Sequence, residues 1–127
     1  MKLYSLLKNI ILEEIRPSEI ENAIEKHSIS RIYYEGDDTL ARGWRWIEPY
    51  VYGESLAGNP ILRAYQTRGV TDTEPTGWKT FRVDKISNWI KTGQMFYTPI
   101  SDRVSGVPKY NADGDRSMIR IIKQAKF

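Results

Sequence analysis

From Ile29 onward the apolar residues of this chain recur every second position, whereas before it they recur at helical spacing. That change of period fixes the order of elements, helical first and extended afterwards, since side chains alternate faces on a strand and return every three to four residues on a helix. Ahead of the change, Leu3, Leu6, Leu7, Ile10, Ile11 and Ile15 form one stripe, and Pro17 ends the helix they predict. Ser18 and Glu21 have the spacing of a capping box, and Ile20, Ala23, Ile24 and His27 share a face behind it. A second helix is predicted there, ending near His27.

Behind the change, Gly, Asp and Asn clusters cut the chain into short strands. Ile29 to Glu35 reads as the first, turned by Gly36, Asp37 and Asp38, and Trp44 to Tyr52 as the second, before a loop with Gly53, Gly58 and Asn59. Ile61 to Gln66 reads as the third. Thr71 to Gly77 is polar and turn-rich, and Trp78 to Ile86 is the fourth strand. Asn88 to Phe96 fits a strand or a helical turn. Pro99 to Ser117 has no period, and a loop of that length inside a compact domain is either functional or mobile. Met118 to Ile122 returns as a closing strand.

Short strands at close spacing after two helices predict an α+β chain, with a small barrel or rolled sheet whose closure removes aggregation-prone edges. A single core is expected at 127 residues. The division is residues 1–28, a helical segment packed on the sheet, and residues 29–127, the strand domain with its 99–117 loop.

Charge and composition then narrow the function. Lys2, Lys8, Glu13 and Glu14 break the longest apolar stretch well short of a membrane span, so no membrane partner is expected, nor a cleavable leader. Without cysteine, folding rests on packing, which suits a reducing cytoplasm. The net charge is +3, and it gathers in residues 98–127, which carry six Lys/Arg against three Asp/Glu. Such a tail suits either a phosphate backbone or a solubilising terminus.

Signals for catalysis are poor. His27 is the sole histidine and ends a helix, where a dipole or capping role fits it best. One His and no Cys leave only an all-oxygen metal site, and Asn111, Asp113 and Asp115 around Gly114 miss the calcium-loop spacing and read as a polar turn. No phosphate-cradling loop and no nucleophile elbow is present. A binding protein without cofactor is expected, not an enzyme.

Three blocks in the strand region carry a family likeness. They are Ile32-Tyr33-Tyr34-Glu35-Gly36, then Arg45-Trp46-Ile47-Glu48-Pro49, then Lys79-Thr80-Phe81-Arg82-Val83-Asp84-Lys85-Ile86. In this order they resemble the WYL domain, a bacterial and phage ligand-binding module, and the likeness covers residues 29–96. In the strand that names the family the chain has Pro60-Ile61-Leu62-Arg63-Ala64, keeping only Leu62 and Ala64 of the pattern. The resemblance implies an Sm-like antiparallel β-barrel with a groove for single-stranded nucleic acid or a nucleotide-like ligand, in a sensing or transcription-regulating role. With no helix-turn-helix region of adequate length ahead of the expected barrel, the chain resembles stand-alone members of the kind seen in phage genomes, which implies a module that acts by itself or on a partner.

Alternation puts Arg45, Ile47, Pro49 and Val51 on one face of the second strand and Trp44, Trp46, Tyr50 and Tyr52 on the other. The tryptophans are expected to pack beneath the helices, or else to stack on bases. Arg82 should share a surface with Thr80 and Asp84, either as an ion pair or as a phosphate fork. The ligand set expected from residues and resemblance together is Tyr34, Arg45, Arg63, Tyr65, Arg82 and Lys85. The competing expectation is a protein-interaction or structural component, of a phage particle or a host-directed complex, that docks a partner through the first helix and the 99–117 loop.

Overall fold

The structure is a computed structural model, and it describes residues 15–36, 42–69 and 75–127. The first predicted helix lies outside these residues apart from its end at Ile15, as do Asp37 and Asp38 of the first turn and most of the 71–77 turn. The elements are helix α1 (Pro17–Glu25), strands β1 (Ser28–Tyr34), β2 (Gly43–Ser55), β3 (Pro60–Gly69) and β4 (Gly77–Arg82), a 3-10 turn (Val83–Lys85), β5 (Ile86–Met95), short helix α2 (Ile100–Arg103), a second 3-10 turn (Ala112–Gly114) and β6 (Met118–Gln124).

Helix α1 starts one residue before the predicted cap. Pro17 occupies its first turn, where the missing N–H costs nothing, and the Arg16 N–H donates to the Glu19 carboxylate, so the reciprocal pair is Arg16 with Glu19 and not Ser18 with Glu21. His27 leaves the helix in the left-handed region at φ 51°. Its ring lies between Phe96 and Phe127, with centroids 5.2 and 4.5 Å away.

All strand pairs are antiparallel, in the order β4-β3-β2-β1-β5, with β6 on β2. The expected closure into an Sm-like barrel does not occur. Strands β4 and β5 stand at opposite ends of the order, joined by the 3-10 turn, and no ladder joins them among the described residues. The returning strand β6 closes nothing, because β2 is long enough to pair with β1 over Gly43–Ile47 and with β6 over Val51–Ser55. One helix, not two, precedes this open six-stranded sheet among the described residues. Gly53 is what lets β6 approach, since a Cβ there would stand 2.2 Å from the Arg120 carbonyl oxygen.

The sheet has two apolar faces. On one, Ile20 and Ile24 of α1 pack against Ile32, Ile47, Leu62, Ala64, Phe81 and Ile86. On the other, the segment after β5 lays Phe96 and Ile100 over Tyr50 and Val51. A register shift between Pro49 and Val51 reverses the alternation in β2, so Val51 belongs to the second face and Tyr52 to the first, the reverse of the uninterrupted pattern. No helix among the described residues is long and apolar enough to cross a membrane.

Candidate functional site

The six expected ligand residues do not form one groove. Arg45 is only 5% exposed and lies on the face that α1 covers. Its guanidinium carbon is 5.0 Å from the Tyr34 ring centroid and 5.4 Å from that of Phe81, and Nη1 donates to Gln66 Oε1 at 3.3 Å. Tyr34 stays beside it, its hydroxyl accepting the Arg82 backbone N–H at 3.1 Å. Both side chains join the first core to the strand edges, and Arg45 is withdrawn from any ligand on the outer surface.

Arg63 and Tyr65 point to the opposite face. Arg63 donates to Thr80 Oγ1 at 2.6 Å and lies 5.8 Å from the Tyr110 ring, and Tyr65 meets Trp78 edge-on at 5.4 Å. Arg82 shares that face but is forked onto the Asp84 carboxylate at 3.1 and 2.7 Å. Lys85 sits in the 3-10 turn, where its carbonyl takes the Glu35 N–H at 2.8 Å. Of the three guanidinium groups expected on one surface, one is in the core, one is held among Thr80 and Tyr110, and one is neutralised.

A different set does come together. Cross-strand register places Arg31 of β1 opposite Trp46 of β2, Tyr33 opposite Trp44, and Arg68 of β3 opposite Trp46 on its other side. These side chains share the face turned away from α1, beyond the part covered by Phe96 and Ile100. Expectation had put the tryptophans beneath the helices; here they lie on the side α1 does not cover, half-buried. The Arg31 guanidinium carbon is 4.6 Å from the Trp44 ring and 5.4 Å from Trp46, and that of Arg68 is 4.0 Å from Trp46. Tyr33 meets Trp44 edge-on at 5.3 Å.

Among the described residues no carboxylate reaches the charges on this row. Arg42, Arg82, Arg103 and Arg120 each reach a carboxylate, whereas Arg31 and Arg68 have none among the described residues. Among the described residues both cations are held by rings and not by anions. Gly69 fixes the end of the row: its φ of +138° suits glycine alone, and a Cβ there would meet the Trp44 carbonyl oxygen at 2.5 Å.

Beside the row, a clamp holds the segment after β5. Glu48, 2% exposed, takes two bonds from Arg103, at 2.9 and 2.5 Å, and one from the Tyr50 hydroxyl at 3.0 Å. That hydroxyl accepts the Ile100 N–H at 2.9 Å, and burial followed by Glu48 pushes the Tyr50 phenol well above its ordinary range. Trp78 Nε1 donates to the Pro108 carbonyl at 3.3 Å, and Tyr110 donates to Asp115. In the Asn111, Asp113 and Asp115 cluster two side chains brace their own turns, Asn111 Oδ1 taking the Asp113 N–H and Asp115 Oδ1 the Ser117 N–H.

Comparison of the chain with protein-family models, with curated proteins and with solved structures finds no match. Sequence reasoning reached Trp44 and Trp46 but missed Arg31 and Arg68. The signal was present as Arg31-x-Tyr33 and Trp44-x-Trp46, two alternating pairs on neighbouring predicted strands.

Proposed function

We propose that this chain is a WYL-like, non-catalytic binding module that holds single-stranded nucleic acid on the face built from Arg31, Tyr33, Trp44, Trp46 and Arg68. The observation that carries the reading is the pair of arginines, without a carboxylate partner among the described residues, against two half-buried tryptophans. Bases stack on rings and on guanidinium planes whatever their identity, and the same cations meet the phosphates. The three motif blocks support the family reading by lying on β1, β2 and β4 of one sheet. The ligand contacts, however, move from the motif arginines Arg45 and Arg82 to Arg31 and Arg68.

The test is a titration of a 12-nucleotide single strand, as DNA and as RNA, followed by tryptophan quenching at two salt concentrations. Trp46→Leu is expected to weaken binding by roughly 1–3 kcal/mol, the worth of one stacked base. Arg68→Ala, a change at an exposed side chain, should flatten the slope of log affinity against log salt by about 0.7. Absence of saturable binding at low salt, or indifference to both substitutions, overturns the reading.

A second reading, a protein-interaction component, draws on one observation. Strand β6 pairs only with β2 among the described residues, and Ile119 and Ile121 on it are 58% and 36% exposed. On that reading partner capture depends on these two isoleucines and is blind to Arg68.

A further inference from the structure

Beside the clamped segment the second face carries a partly open hollow of about 270 Å³. Tyr50 and Trp78 line it from the sheet, Tyr110 and Phe127 from the C-terminal segment, and Asn111 and Gln124 add two primary amides. We propose that this hollow is a binding site for one free nucleoside, separate from the stacking row and beyond the polymer-binding role.

Size sets the first limit. Pockets for drug-sized ligands run from about 300 to 1,000 Å³, so this one takes a single ring system with little more than a sugar. Pro99–Ser101 and Lys109–Asp113 line one side of the hollow, and Gln124, Ala125 and Phe127 line the other.

The lining chemistry sets the second limit. Tyr50 meets Trp78 edge-on at 4.8 Å and Tyr110 lies tilted against Trp78 at 5.2 Å, so the rings line the hollow as an aromatic corner that takes a flat ligand against one ring face at a time. The amides then choose among flat ligands. Gln124 makes no side-chain hydrogen bond among the described residues, and Asn111 commits only its oxygen, to the Asp113 N–H at 3.1 Å. A free amide offers a donor and an acceptor side by side, the complement of a base edge and not of an indole or a phenol, which carry one polar group. Lys109 and Asp113, also at the hollow, bring one charge of each sign within reach of a sugar or an exocyclic group.

Four nucleosides, adenosine, guanosine, cytidine and uridine, are titrated into the whole chain, with indole and phenol as comparison ligands. Amide resonances of Ala112, Ala125 and the Gln124 side chain are followed. At least one nucleoside should shift all three saturably, with half-saturation below about 5 mM. Gln124→Leu, which keeps the side-chain volume, should weaken that nucleoside about fivefold and leave indole unchanged. A nucleoside methylated on its hydrogen-bonding edge should weaken as much on the unaltered protein, so the result does not hang on the variant folding. No saturable shift with any nucleoside, or indole binding as tightly as the best of them, overturns the proposal. Arg68→Ala separates the two sites, since it should lower oligonucleotide affinity and leave nucleoside binding as it was.

Discussion

Between the rings of Tyr34 and Phe81, Arg45 shows how the face of a residue outweighs its charge. Ile47 and Pro49, two and four positions along the strand, are buried on its side, so alternation assigns it to the core, and the structure leaves it 5% exposed. The motif had suggested a ligand contact because an arginine in a matched block looks functional whichever way its strand faces. What the sequence did not show was which face α1 would cover. Arg45→Ala should therefore act on stability and not on binding, lowering the unfolding free energy by about 2–3 kcal/mol through lost packing and lost contact with two rings. Arg45→Met, closer in volume, should cost less. Urea denaturation of both variants checks this, and the affinity of the folded fraction for a single strand should match the unaltered protein.

Strands were legible as elements, because period-two runs bounded by Gly, Asp and Asn survive in any antiparallel sheet; the structure lengthens the second, the third and the returning strand, shifts the first by one residue, and cuts the fourth, expected to run to Ile86, at Arg82, where the 3-10 turn Val83–Lys85 begins. The 99–117 segment was not legible, and the reason lies in the range of its anchors. Arg103 is held by Glu48, 55 residues earlier, and Pro108 by Trp78, 30 residues earlier, so nothing local marks the segment as fixed. The same long reach misled the expectation of barrel closure, since only the register shows β6 on β2 and β4 apart from β5.

The anchors of this segment also titrate. Burial raises the Asp115 carboxyl, but bonds from the Ser117 hydroxyl, Tyr110 and the Ser117 N–H, with the charge of Arg63, outweigh it and hold the group below its ordinary value. A depressed carboxylate contributes stability above its unfolded pKa, about 4, that is lost as pH falls through the folded value. Tyr110 does the reverse. Burial first, then Asp115, raises its phenol, so that contribution is present below about pH 10 and is lost above. Thermal melts across pH should show loss at both ends, and Asp115→Asn should remove much of the acid-side loss. An unchanged acid limb in that variant would mean that other carboxylates govern it.

Among the described residues, one sheet serves two covers and leaves one end of a face for the stacking row. The first cover, α1, fixes the strands from one side. The second, the clamped segment, flanks the hollow but ends before Trp46. Along β2, Trp46 and Tyr50 are four residues apart, about 13 Å at strand rise, so the two candidate sites share a strand without sharing a side chain. Arg103→Ala tests whether they are independent. It strands the Glu48 carboxylate at 2% exposure, yet Arg103 itself is 36% exposed, so the expected cost is about 2–3 kcal/mol, under the 3–5 of a fully buried pair. With the clamp released, nucleoside binding should vanish, because Ile100 and Pro99 leave the hollow they line. Single-strand affinity should stay within about twofold, because ladders between β1, β2 and β3 hold the stacking row and changes at separate sites act nearly additively. If both affinities fall together, the face works as one unit, and the clamp, not the ladder, sets the geometry of Trp46.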